Sequence, residues 1–224
     1  MCRDAGWVRR VRTNWSEPSA VACVACDLVL NRRVTRVLGQ GGLPPGARNW
    51  TFDTFPVDPD KQAVFDRVQG WAMTDPAMTG SLLLHGSWGV GKTSLAISAF
   101  RYRIEHGTSN GLFSSVPSLL ARVKRTYDRD NRIADQSEWE VLEAIRECGL
   151  LVLDDLGAER ETEWSVDKLA QIIAHRHDWL KPTIFTSNYD MDSLVERLGE
   201  RSFWRVKEMC WPHVIEMSGR NLRE

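Results

Sequence analysis

Ser81-Leu82-Leu83-Leu84-His85 runs straight into Gly86-Ser87-Trp88-Gly89-Val90-Gly91-Lys92-Thr93, an apolar strand followed by the pattern G-x-x-x-x-G-K-[ST]. Strand, glycine-rich turn and helix are the parts of a phosphate-binding loop. Glycines let backbone N–H groups curl round phosphate oxygens, the lysine reaches the β- and γ-phosphates, and the threonine hydroxyl holds Mg²⁺. On this reading Gly86, Ser87, Gly89, Val90 and Gly91 enclose the phosphates. Lys92, Thr93 and Ser94 open a helix whose positive end faces them, and apolar residues do recur at helical spacing through Phe100. The alternative is a glycine turn that holds no ligand.

Downstream, Leu150-Leu151-Val152-Leu153-Asp154-Asp155 is an apolar run ending in two carboxylates. At the end of a buried strand, Asp154 would hold the Mg²⁺ shell and Asp155 would orient the water that attacks the γ-phosphate. A strand ending in an Asx turn has the same appearance. Pro182-Thr183-Ile184-Phe185-Thr186-Ser187-Asn188 is a further strand with a polar end, where Asn188 serves either the attacking water or a turn cap. Arg201 and Arg205 lie four apart, on one face of a helix. Guanidinium groups there would neutralise charge on a transferred phosphoryl group, in a neighbouring subunit's site, or would pair on the surface with Glu200 or Glu208.

Around these motifs the chain alternates short apolar runs with amphipathic stretches, which predicts an α/β fold with a parallel sheet covered by helices. The expected strands are 81–85, 111–115, 149–153, 183–187 and 213–218. Helices are expected at about 92–106, 117–129, 137–147, 165–180 and 192–207, with Gly199 placed for a cap or break. Before them, Asp58-Pro59 supplies an N-cap and N1 proline to a helix carrying Val64, Phe65, Val68, Trp71 and Ala72. The breaker run Gly39–Gly46 divides an N-terminal unit, 1–48, from a nucleotide domain, 49–224.

The chain has 224 residues, 42% hydrophobic, enough to bury a core and not the composition of a disordered segment. Its net charge of −1 hides an uneven distribution: residues 1–48 hold eight arginines against Asp4, Glu17 and Asp27. Nucleic-acid contact would therefore be local, and a solvated basic tail is the other reading. No apolar run approaches the ~20 residues that cross a bilayer, and no signal-peptide core is present, so a soluble cytoplasmic protein with no membrane partner is expected. Five cysteines, an odd number, suit a reducing compartment. Cys23-Val24-Ala25-Cys26 is a C-x-x-C knuckle with Cys2 upstream, three ligands of a zinc ribbon. An upstream cysteine, Asp4, the terminal amine or water would be the fourth, and two buried structural cysteines are the alternative.

Ten tryptophans are many for this length. Trp71, Trp164 and Trp179 fall where a helix packs, whereas Trp88, inside the loop, covers it or meets a neighbouring subunit. Cys148 and Cys210 read as packing residues, and His175 with His177, two apart, make a poor metal pair. The stretch Pro117–Tyr127 predicts a helix with a basic half, in which Arg122, Lys124 and Arg125 would contact nucleic-acid phosphates and Tyr127 or Phe113 would stack on bases. A charged solvent face is equally economical.

The order of phosphate loop, acidic strand end, polar strand end, arginine helix and last short strand resembles the AAA+ P-loop ATPases. Within them it is similar to the replicative helicase loaders of the DnaC/DnaI type and to IstB-like transposition helpers. The matching stretches are His85–Thr93, Leu151–Gly157, Thr183–Asn188 and Gly199–Arg205. The resemblance implies a five-stranded parallel sheet and an ATPase with ATP and Mg²⁺ between subunits. Arg205 would be the finger given to the next protomer, with Arg201 its supporting neighbour. It implies that the 117–127 helix follows single-stranded DNA, that the N-terminal zinc-ribbon-like unit grips the replicative helicase, and that the protein loads that helicase during DNA replication. Asp155 stands where many of these ATPases carry Glu, consistent with slow, partner-regulated turnover. Little sequence follows the last strand, so no helical lid is expected, and Arg220 and Arg223 alone remain to supply a lid arginine. A transposition helper, a monomeric P-loop kinase and a non-hydrolysing adaptor are the competing readings.

Overall fold

The computed structural model describes residues 7–9, 20–22, 45–108, 110–126 and 138–222. Cys2, Cys23, Cys26, Tyr127 and Arg223 lie outside them, and so do the zinc and stacking assignments that rest on the cysteines and on Tyr127. Strands β1 (Trp7–Arg9) and β2 (Ala20–Ala22) pair antiparallel.

From Gln62 the chain folds as helices on both faces of a parallel sheet. Helix α1 spans Gln62–Met73 and is followed by the short α2, Pro76–Thr79. Then come β3 (Leu82–Gly86), α3 (Lys92–Glu105), β4 (Gly111–Ser115) and α4 (Val116–Arg125). Helix α5 (Glu138–Glu147), β5 (Leu150–Asp154), α6 (Glu163–Asp178) and β6 (Thr183–Ser187) follow. The last elements are α7 (Met191–Leu198), α8 (Glu200–Cys210) and β7 (Val214–Met217). The sheet order is β4-β5-β6-β3-β7, with every pairing parallel. Strand order reverses around β3, which makes the C-terminal edge of β3 and β6 the crevice where ligands bind in such sheets.

Both faces of the sheet are covered, so the strands read as near-continuous apolar runs. Their period of two still decides which core each residue enters. Leu82, Leu84, Leu150, Val152 and Ile184 pack with α1 and α3, whereas Leu83, Leu151, Leu153 and Phe185 pack with α4 to α8. Each such buried side chain contributes about 1.5–3 kcal/mol by leaving water.

Several expectations are corrected. The single helix expected at 192–207 is two, α7 and α8, because Gly199 takes φ 74 and breaks the ladder. Asp58 makes no side-chain cap; it precedes a 3₁₀ turn, Pro59–Lys61, that leads into α1. Helix α6 starts at Glu163, two residues early, because Thr162 and Ser165 cap it reciprocally. Trp71 is buried and Trp164 partly so, but Trp179 is 68% exposed at the end of α6. Phe113 is 3% exposed and cannot stack on a base, because alternation turns it into the α1/α3 core.

Candidate nucleotide site

The alternation that builds the two cores also aims the site. Asp154 follows Val152 and Leu150 on the face toward α3, and there Thr93, in the first turn of α3, donates its hydroxyl to Asp154 Oδ1 at 2.8 Å. Thr186, in register with Ile184 on the same face, donates to the same oxygen at 2.6 Å. Two hydroxyls do not repay the loss of water: burial pushes the Asp154 carboxyl above its ordinary range, with the hydroxyl bonds of Thr186 opposing and neighbouring Asp155 adding to the rise.

Asp155 leaves the strand at φ 57, and this left-handed step turns its side chain out of the sheet. Its N–H donates to Thr186 Oγ1 at 3.0 Å, and its Oδ1 accepts from Asn188 Nδ2 at 2.9 Å. Lys92 is buried and folded back on its own loop, donating to Gly86 O (3.0 Å) and Ser87 O (2.7 Å). These carbonyls are replaceable partners, and an ammonium on a flexible stem can exchange them for phosphate oxygens.

The loop has the shape of a phosphate cradle. Gly86, Gly89 and Gly91 all have positive φ, at 130, 77 and 100. A Cβ at Gly86 would lie 2.1 Å from Met217 O, so only glycine lets β3 turn beside β7. The loop ends on the N-terminus of a 14-residue helix, where orphan N–H groups favour anions. For Mg²⁺ the donors are hard oxygens, Thr93 Oγ1 and Asp154 Oδ1, already side by side. The residues present fit a magnesium-bound nucleoside triphosphate.

Other sequence-derived residues lie farther out. Ser87 and Trp88 are exposed, Trp88 at 70%, and Val90 is buried beneath the loop. Arg201 and Arg205 sit on α8, and both act electrostatically on Asp178 of α6. Glu208 does not bridge them; it bonds His177 Nε2 at 3.1 Å. Arg122, Lys124 and Arg125 form an exposed basic face on α4. Cys148 and Cys210 are buried. His175 and His177 meet carboxylates of Glu147, Asp178 and Glu208, and among the described residues no three His, Cys, Asp or Glu side chains cluster so as to hold a metal ion. No described helix is long and apolar enough to cross a membrane.

Sequence reasoning missed the segment beyond β7. Leu222 N donates to Gly89 O at 2.8 Å, Leu222 approaches Gly91, and buried Lys61 holds the Arg220 carbonyl at 2.9 Å. The loop is thus backed by the segment after β7, while the Arg220 side chain is exposed. Motif spacing carried no signal for this pairing across 159 residues. His85 was also passed over. Buried near the end of β3 opposite Glu216, it is held below its ordinary pKa by burial.

No family model matches this chain. In sequence it is 27% identical over 176 residues to the replicative helicase loader DnaC of Buchnera aphidicola subsp. Acyrthosiphon pisum, covering 78% of this chain and 70% of that one. The replicative helicase loader DnaI of Bacillus subtilis is 29% identical over 140 residues, 61% of this chain and 43% of that protein. In structure, a crystal structure of the DnaC helicase loader matches with TM-score 0.67 at 27% identity, over 78% of this chain and 100% of the other. The replication initiator DnaA bound to AMPPCP and single-stranded DNA matches with TM-score 0.65 at 18% identity, over 80% and 52%. That likeness is one of fold alone. The chain has the AAA+ P-loop fold, and its sequence relatives are replicative helicase loaders of the DnaC and DnaI type.

Proposed function

We propose that this protein is an ATP-dependent loader of the replicative DNA helicase. The ATPase part rests on one observation, the meeting of Thr93 with Asp154 and of Asn188 with Asp155 at the mouth of the glycine loop. The loader part rests on the likeness to DnaC and DnaI.

Lys92 leaves its loop carbonyls to bind the β- and γ-phosphates, and Thr93 and Asp154 hold Mg²⁺. Bound ATP supplies the phosphoanhydride that is cleaved. Asp155, fixed by Asn188, orients the attacking water, and its hydrogen bond to a neutral amide leaves the carboxylate as acceptor. Arg205, supported by Arg201, completes the site of an adjacent protomer. Arg122, Lys124 and Arg125 track single-stranded DNA phosphates. Residues 1–48, with Cys2, Cys23 and Cys26 as zinc ligands, engage the helicase, and 49–224 form the ATPase.

The test has two arms. The full chain binds a fluorescent ATP analogue with Mg²⁺ and releases it on chelation, and Lys92→Ala weakens binding about tenfold or more. With the replicative helicase of its host, it transfers that helicase onto single-stranded circular DNA in an ATP-dependent way. Failure to bind magnesium nucleotide overturns the ATPase reading; binding without helicase delivery overturns the loader reading.

A further inference from the structure

Two residues past Asp155, the peptide of Gly157 is gripped from both sides. Its N–H donates to Glu159 Oε2 at 3.0 Å, and its carbonyl accepts from Arg197 Nη1 at 2.9 Å. The same Nη1 donates to Glu161 Oε1 at 2.9 Å. The Arg197 guanidinium carbon also stands 4.0 Å from the ring centroid of Tyr189, the residue after Asn188. Gly157, at φ 87, leaves no slack, since a Cβ there would lie 3.0 Å from Tyr189 Cδ2 and 3.2 Å from Arg197 Cδ.

One guanidinium therefore touches the loop after β5 and the turn after β6, the two segments that carry Asp155 and Asn188. A planar, always-charged group can lie on an aromatic face and donate from its edge at once, which a lysine cannot reproduce. Arg197 itself sits in the last turn of α7, which passes through Gly199 directly into α8. Helix α8 bears Arg201 and Arg205. The exposed ion pair with Glu161 is worth little alone. The carbonyl and ring contacts give the residue its reach.

We infer that Arg197 is a positioning residue that keeps the Asp155 loop and the arginine-bearing helix in one register, so that the site a protomer builds is mechanically joined to the site it completes. This rests on the proposed ATPase reading and adds to it the connection within one chain.

The experiment uses the full chain and a mixture of subunits. Arg197→Met lowers kcat for ATP about tenfold, with KM for MgATP within about twofold, because the residue touches neither phosphate nor metal. Asp155→Asn protein lends its Arg205 to Arg205→Ala protein and restores turnover; the same donor with Arg197→Met added restores several-fold less, an effect that a role confined to its own site does not produce. Arg197→Lys, which keeps a cation over Tyr189, recovers part of kcat and gives the readout should the Met variant fail to fold. A donor unimpaired by Arg197→Met, or an unchanged kcat, overturns the inference while leaving the ATPase reading intact. A wild-type chain that binds no magnesium nucleotide overturns both.

Discussion

At the N-terminal edge of the sheet Arg176 is 1% exposed, and at the C-terminal edge Asp154 is 6% exposed; the same fold buries the two charges in different ways. Among the described residues Arg176 has no carboxylate in contact, yet every nitrogen is used. Nε donates to Thr183 Oγ1, Nη1 to the carbonyls of Ile145, Arg146 and Cys148, and Nη2 to Pro182 O, at 2.7 to 3.1 Å. It caps the C-terminus of α5, where orphan carbonyls concentrate negative potential, and ties that end to the start of β6. Burial lowers its pKa, but a guanidinium stays charged at neutral pH. Asp154 has two hydroxyl donors and an elevated pKa, and Lys92 nearby rests on two loop carbonyls. The closed edge satisfies its charge with partners that never leave. The open edge holds its charges with hydroxyls and loop carbonyls, partners that the proposed magnesium nucleotide would replace.

The largest break in that comparison is Arg176→Met. It removes the guanidinium donor from four carbonyls and a hydroxyl in a dry environment, where Pro182 O keeps the Leu151 N–H and Ile145 O the Cys148 thiol, at a cost of about 3 kcal/mol or more, and lowers Tm by on the order of 10 °C. Urea or thermal melts check this, and nucleotide affinity of the protein that stays folded should be unchanged. At the open edge, Asp154→Asn has the reverse outcome. Because the folded carboxyl pKa lies above 3.8, folding favours the protonated form, so stability falls as pH rises through the elevated value and the penalty is complete above it. The amide escapes that penalty and can still accept from Thr93 and Thr186. At pH 7 the variant should be as stable as the wild type, or more stable by on the order of 1 kcal/mol, while magnesium-dependent nucleotide binding is lost. A destabilised Asp154→Asn would mean that the hydroxyl bonds outweigh desolvation.

The open edge was the more legible of the two in sequence. Local order announces it, since glycines, Lys92, Thr93 and the Asp154-Asp155 pair each lie at the end of an apolar run, and the five strands fall within about one residue of their expected spans. The strand order was not legible from those runs, because β3 between β6 and β7 is a choice among pairings that all bury apolar faces. Nor was Arg176, whose acceptors lie 28 to 31 residues upstream and 6 or 7 downstream. A lone arginine in an amphipathic helix reads as solvent-facing. Phe113 was misjudged for a related reason: exposure in a five-residue strand depends on which face the neighbouring helices cover. The split at Gly199 was foreshadowed by the glycine, but a helix tolerates one, and only its positive φ decides the break.

The smallest effect belongs to the junction between the two edges, where α6 and α8 run side by side. His177 donates from Nδ1 to Asp178 Oδ1 at 2.9 Å and from Nε2 to Glu208 Oε2 at 3.1 Å. When protonated, the ring donates to a carboxylate from each nitrogen. Asp178 raises its pKa most, Glu208 raises it further, and burial opposes them; Asp178 is lowered in turn by His177 and, at longer range, by Arg205 and Arg201 of α8. Since the folded pKa lies above 6.5, the stabilisation is complete below pH 6.5 and is lost as pH rises through the folded value. An NMR titration of His177 should place its midpoint above 6.5. His177→Asn should lower Tm by no more than about 2 °C below that pH and should not change it above the midpoint. The contact is replaceable, like those of the open edge, but it is exposed and its partners keep their water, so losing it costs little. Burial, and not the number of charged partners, sets how much each of these pairs matters.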